Sequence, residues 1–192
     1  MKTKVLQIVA GVLIAVVLVI VGVLALSAGI RSYRAAVQLD DITVDRGTVV
    51  YLASVYKMTY SGENFEEDFK AYIADLVADA YLYSIHRGYS LMDKEIVAQT
   101  AKSVLNENAG GDVDVFNKVA KEHGYGFTYT DFKNATALLY KAKEGNRLIP
   151  ELLGEEAYAS SKAAVLDLVR FTERYGSIDF SVSPSGHEYY VD

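Results

Sequence analysis

One apolar run near the start of the chain constrains everything that follows it. Between Val5 and Ile30 there is no charged residue, and only Gln7 and Ser27 are plainly polar. Wound as a helix, about 20 such residues cross the ~30 Å hydrocarbon core of a bilayer. The run predicts a transmembrane anchor over 5–30, preceded by a short n-region, 1–4, that carries Lys2 and Lys4. A cleaved secretory signal is the alternative, with small residues at Ala25-Leu26-Ser27. Against it, the run is about twice an h-region of roughly 7–15 residues, and Arg31 and Arg34 follow as an interfacial flank. Two lysines before the run face two arginines after it, so the positive-inside rule is nearly balanced. The expected arrangement is a single pass through the cell membrane, N-terminus inside and the bulk extracytoplasmic.

About 160 residues remain beyond the run, enough for one domain with its own core. Two of the 19 basic residues precede the run and all 25 acidic ones follow it, which leaves a formal charge of −8 beyond it. That balance argues against nucleic acid and anionic lipid as partners. The chain has no cysteine, which excludes a cysteine-linked lipid anchor, disulfides and thiolate chemistry and fits an extracytoplasmic bacterial protein. Only two prolines occur, and the 15 tyrosines suit small wet cores and grooves that bind other chains, since a tyrosine is apolar along its ring and polar at its tip.

The pattern past the anchor is mainly α. Residues 31–39 read as a short helical stalk, and 41–45 alternates like a strand closed by Arg46-Gly47. Thr48 is placed to cap a helix to about Tyr60. Asn64 opens a long helix whose apolar stripe includes Phe65, Phe69, Tyr72, Ile73 and Leu76, with Glu66, Glu67 and Asp68 in its first turn. His86-Arg87-Gly88 ends it. Ser90 with Asp93, Asp112, and Thr128 with Asp131 mark three further helix starts. The helix from Thr128 is expected to stop before Pro150, and a last one to run from Glu155 to about Gly176. In the tail, 176–192, Ile178, Phe180 and Val182 alternate with polar residues. Ser183-Pro184-Ser185-Gly186 has the composition of a type I turn, and 188–191 reads as a return strand, together a C-terminal β-hairpin.

Three segments carry a family resemblance. The first is Ile42-Thr43-Val44-Asp45-Arg46-Gly47, followed by a helix with Tyr51 and Tyr56. The second runs from Leu82 through Gly88 to Asp93 and Ile96. The third is Phe116-Asn117-Lys118-Val119-Ala120-Lys121-Glu122-His123-Gly124, then Thr128-Tyr129-Thr130-Asp131-Phe132. Over roughly 40–150 this resembles the N-terminal chaperone region of the SurA and PrsA type, shared in part with the peptide-binding lobe of trigger factor. Met92 stands where that family usually has a capping Ser or Thr. The resemblance implies a SurA-like helical chaperone domain over 40–175. Such proteins usually continue into a parvulin-type prolyl isomerase, of which only Ser177-Ile178-Asp179-Phe180-Ser181 resembles a first strand. No catalytic residue of the family carries over.

Catalytic and cofactor signatures are missing from the sequence. His86, His123 and His187 lack metal or triad spacing, and two of them end helices beside a glycine. Asp112-Val113-Asp114 begins like a calcium loop but has Asn117 at the sixth position and His123 at the twelfth. The sequon Asn134-Ala135-Thr136 falls inside an expected helix. The expectation is therefore no enzyme, no cofactor and no metal. What remains is surface: Tyr51, Tyr56, Tyr60, Phe65, Phe69, Tyr72, Phe132 and Tyr140 are the candidate peptide-binding residues, the competing reading being that these rings pack helices together. The leading expectation is a membrane-anchored module, tethered to the lipid bilayer through Val5 to Ile30, that binds unfolded or secreted polypeptides without ATP. An adaptor subunit that docks a folded membrane or secretion partner comes second, and a degenerate prolyl isomerase third.

Overall fold

The structure, a computed structural model, describes residues 34–181. The n-region, the anchor over 5–30 and the segment 182–192 lie outside the described residues. Among those described, no helix is long and apolar enough to cross a membrane.

The described chain opens on a strand, β1 (Ala35–Leu39), where a helical stalk is expected. Ala35-Ala36-Val37 has helical propensity, but tertiary pairing overrides it. Asp40-Asp41 forms a two-residue turn, with Asp40 in the left-handed region at φ 51°, a conformation aspartate tolerates. The turn folds β1 antiparallel onto β2 (Ile42–Asp45), the short strand the alternation predicts. The other edge of β1 takes β3 (Arg170–Phe171), so the sheet order is β2-β1-β3. Val37 lies opposite Val44 on one side and Phe171 on the other, and the register shifts between Ala35 and Val37. As the central strand, β1 buries Ala35, Ala36 and Val37 almost completely, which fits its apolar first three residues.

Seven helices follow among the described residues: α1 (Arg46–Thr59), α2 (Phe65–His86), α3 (Leu91–Ala109), α4 (Val113–Glu122), α5 (Tyr129–Leu153), α6 (Glu155–Leu166) and α7 (Glu173–Gly176). α3 and α5 open with the expected capping boxes, Ser90 with Asp93 and Thr128 with Asp131. Asp112 caps α4 by accepting from Asp114 N at 2.8 Å. The caps expected at Thr48 and Asn64 are not formed. α1 begins two residues before Thr48, whose buried hydroxyl donates instead to the Asp131 carbonyl at 3.5 Å. Asn64 makes no side-chain cap bond.

Three further differences separate sequence pattern from structure. α5 runs through Pro150 to Leu153, because Ile149 is fully buried and the Gly154 N–H closes the last turn on the Pro150 carbonyl at 2.8 Å. Packing here outweighs the hydrogen bond that proline cannot donate. The expected last helix breaks at Leu166. Thr172 then donates its hydroxyl to Ala35 O at 2.8 Å and its N–H to Ala36 O at 2.9 Å, which docks β3 on β1 and starts α7. The first strand of the expected hairpin is not formed over 178–181. That stretch is irregular and buries Ile178, while the return strand falls outside the described residues.

α2 and α5 pack side by side at the centre, around Phe69, Ile73, Val77, Leu82 and Ile149, each at most 1% exposed. Gly145 permits their closest approach, since a Cβ there would fall on the Asp79 carbonyl oxygen. Beside it the Asp79 carboxylate accepts from Tyr158 Oη at 2.7 Å and from Lys162 Nζ at 2.9 Å, and Lys162 also reaches Asp75 at 2.8 Å. Burial acts to lower the Lys162 ammonium, but the Asp75 and Asp79 carboxylates outweigh it and hold it above the ordinary lysine range. This cluster ties α6 to α2. A second carboxylate, Asp93, ties α3 to both central helices: it accepts from Ser90 N at 2.8 Å, Tyr83 Oη at 2.9 Å and Tyr140 Oη at 2.8 Å. Burial alone would raise Asp93, yet the bonds from Ser90, Tyr140 and Tyr83 hold it below the usual carboxylate range.

Candidate functional site

α1 and α5 begin at the same place. The Asp131 carboxylate of the α5 capping box lies where a Cβ on Gly47 would go, so only glycine lets the two N-termini meet. About one turn further in, Tyr51 on α1 and Phe132 on α5 meet edge to face, with ring centroids 5.2 Å apart. Phe132 is 6% exposed and belongs to the core, whereas Tyr51 is half-buried and forms the floor of an open groove.

The opposite wall comes from α3, α4 and the 124–128 loop. α3 contributes Val104 and Asn108, and α4 contributes Phe116, Val119 and Ala120. The loop adds Tyr125 and Phe127. It is held by Tyr125 N donating to Ala120 O at 2.8 Å and by Asn117 Oδ1 accepting from Tyr129 N at 2.8 Å. Tyr125 and Phe127 stack with planes 9° apart, and Phe127 stands edge-on to Tyr51 at 5.1 Å. The groove spans about 660 Å³ counted out into the solvent at its open mouth, and the polar side chains on its lining besides the tyrosines are Ser54 and Asn108. Open to solvent along its mouth, it offers a shallow apolar seat for a side chain. The Ser54 hydroxyl donates to the Val50 carbonyl at 2.9 Å, no charged side chain or histidine stands on the lining, and no group of His, Asp or Glu among the described residues is placed to hold a metal ion.

The eight candidate residues divide among three places. Tyr51 and Phe132 line the groove. Tyr56, Tyr60, Phe65, Phe69 and Tyr72 form a separate ring cluster between α1 and α2, with Tyr56 and Tyr72 stacked at 4.7 Å and Phe65 and Phe69 at 5.6 Å. Phe180 closes this cluster, 6.0 Å from Phe65 and 5.5 Å from Phe69. Phe69 has no exposure at all, so for it the packing reading holds. Phe65 also lines a smaller, open hollow on the neighbouring face of α1, with Val50, Ala53, Ser54, Lys57, Ile178 and Phe180. Tyr140 lies apart from both hollows, its hydroxyl on Asp93.

Sequence reading missed the outer wall: Val104, Phe116, Val119, Tyr125 and Phe127. Its signal is visible in retrospect. Tyr125-Gly126-Phe127-Thr128-Tyr129 puts three aromatic residues on alternate positions, two in the loop and the third at the start of α5, where a purely connecting segment would be polar. Compared with protein-family models, with curated proteins and with solved structures, the chain shows no significant match to any.

Proposed function

We propose that this chain is a membrane-anchored, extracytoplasmic chaperone-like module, which holds short apolar stretches of unfolded or secreted polypeptide in the groove between α1, α3 and α4. The observation that carries the reading is an open, ring-lined groove in which Tyr51, Phe116, Tyr125 and Phe127 are partly exposed and no lining side chain is charged. Holding needs apolar area and no chemistry, hence neither ATP nor a cofactor. Each ~100 Å² of client apolar surface buried contributes about 2.5 kcal/mol at ~25 cal/mol per Å². Most of this is offset by lost translational and rotational freedom, about 4–15 kcal/mol. The outcome is weak, exchanging binding, which suits a client that must be released without an energy source. The 5–30 run would keep this activity at the membrane.

An adaptor role is favoured by a different observation. Leu91 and Met92, on the first turn of α3, are 78% and 70% exposed, as an apolar contact for a folded partner would be.

The test is the aggregation of a chemically denatured client in the presence of the full chain in detergent. The parent should slow aggregation at several-fold molar excess. Phe127→Ser should lose most of that effect, while Leu168→Ser, a change at an exposed site away from the groove lining, should keep it. Equal suppression by parent and Phe127→Ser, or none by the parent, would remove the proposal.

A further inference from the structure

Past α7 the chain continues without helix or strand as Ser177-Ile178-Asp179-Phe180-Ser181 and lies against α1 and the start of α2. Its side chains alternate: Ile178 is buried, Asp179 exposed and Phe180 half-buried. Ile178 and Phe180 share the smaller hollow with Val50, Ala53 and Lys57 of α1. The Phe180 ring also lies 6.0 Å from Phe65 and 5.5 Å from Phe69, so it caps the ring cluster between α1 and α2. Lys57 Nζ, 5.7 Å from the centroid of the Phe65 ring, donates to the Phe180 carbonyl at 3.2 Å. Every polypeptide offers such a carbonyl, so this bond reads no side chain. What the seat selects is the alternation, with apolar side chains at positions i and i+2 on one side of an extended segment.

The segment is held weakly. The hollow stays open beside Ile178 and Phe180, so part of its apolar wall has no partner atoms. Tyr175, on which Phe180 packs at 5.6 Å, keeps a buried hydroxyl with no hydrogen-bond partner among the described residues, and lifting Phe180 removes one of the rings that shield it from water. Two apolar side chains and one charged hydrogen bond are thus set against an unsatisfied hydroxyl and the conformational entropy of a segment outside any helix or strand. We propose that 177–181 is a displaceable strap seated in a second polypeptide site, whose ligand is an extended, unfolded segment with two bulky apolar side chains two residues apart and a backbone carbonyl on Lys57. The strap is the resident ligand and displays the pose. A strap docked about nine-tenths of the time weakens a competing segment about tenfold. The site is distinct from the groove: Ser54 lines both, but Lys57, Phe65, Ile178 and Phe180 line only this one. It therefore stands whether or not the groove holds clients.

The probe is a fluorescent peptide with the strap's own sequence, Gly-Ser-Ile-Asp-Phe-Ser, beside a control with serine in place of Ile and Phe. Binding to the full chain in detergent is read by anisotropy, with detergent alone as the blank. Ile178→Ser with Phe180→Ser empties the seat and should bind the strap peptide about tenfold more tightly than the parent does. The control peptide should bind far more weakly to the same chain. Adding Phe127→Ser to the emptied chain should leave the affinity unchanged. No gain on emptying the seat, or equal binding of the two peptides, would overturn the proposal. Loss of binding with Phe127→Ser would place the peptide in the groove and overturn the second site. Should the emptied chain lose helix by circular dichroism, the parent decides. The Ile178 N–H donates to the Tyr175 carbonyl at 3.0 Å. Saturating strap peptide should speed hydrogen exchange at Ile178 several-fold and leave Ile73, in the core of α2, unchanged. Exchange at Ile178 that the peptide does not alter would sink the strap.

Discussion

Removing the Asp93 carboxylate should cost the protein more than any single exposed charge does. Asp93 sits at the third position of α3, yet it holds three elements at once. It accepts from Ser90 N, closing the capping box, and from the hydroxyls of Tyr83 on α2 and Tyr140 on α5 at 2.9 and 2.8 Å. A hydrogen bond to a charged acceptor contributes about 1.5–3 kcal/mol, and an unmade one is costlier when the donor is buried. Tyr83 is 5% exposed, so Asp93→Ala strands its hydroxyl. Loss of the cap adds about 1 kcal/mol. Because the bonds share one acceptor they do not add fully, and a net cost of about 3 kcal/mol is expected. For a domain of this size that lowers Tm by about 6–12 °C. Asp93→Asn, which keeps an acceptor and the shape, should lose about half as much, and Ser90→Ala only the cap contribution. The pH dependence has a fixed sign. A carboxylate held low in the fold stabilises fully above the ordinary carboxylate range, and its contribution disappears as pH falls through the lowered value. Asp93→Ala should therefore flatten the acid limb of the stability profile. Thermal melts followed by circular dichroism from pH 7 to pH 2 would measure both. An Asp93→Ala melt no lower than that of Ser90→Ala would refute the three-helix role.

Two other consequences can be checked on the same preparations. Gly145→Ala gains about 1 kcal/mol of helix propensity but drives a methyl into the Asp79 backbone, at an overpacking cost of about 1–3 kcal/mol. Urea unfolding should show a net loss, and a midpoint at or above the parent's would mean that α2 and α5 separate easily. Tyr83 and Tyr158 are pushed up to about 12, in each case by burial and then by the carboxylate they bond; Tyr140 is pushed up to about 12 by its bond to Asp93 and then by burial. Their stabilisation is complete below the ordinary tyrosine value of about 10 and is lost as pH rises towards about 12. Phenolate absorbance should therefore rise in two phases, the later one together with loss of helix. A single phase near pH 10 with the helix content intact would contradict these bonds.

Local chemistry was legible in the sequence where it is self-contained. The capping boxes at Ser90 and Thr128, the Asp112 cap and the glycine stops at Gly88 and Gly124 all appear, because each needs only residues within a few positions. What failed depends on distant partners. Ala35–Leu39 is a strand only because Ile42–Asp45 and Arg170–Phe171 flank it. α5 passes Pro150 because Ile149 is packed from outside the helix. Aromatic spacing identified the rings but not which neighbours seal them: Phe69 and Tyr51 look alike in sequence, and Phe180 covers one of them. The groove itself, assembled from residues 51 to 132, has no linear signature beyond the Tyr125–Tyr129 alternation.

The groove has walls of unequal stiffness. Tyr51 and Phe132 stand on α1 and α5, which are bound into the core, whereas in the ten residues of α4 only Ala120 is buried. Local opening requires little free energy where few apolar side chains are locked away. The outer wall can lift by thermal fluctuation while the α2–α5 pair stays closed, so the cleft has a distribution of widths and no fixed gauge. Tolerance for side chains of different girth then comes from the entropy of a single short helix, and any contact that pinned α4 would trade that tolerance for selectivity.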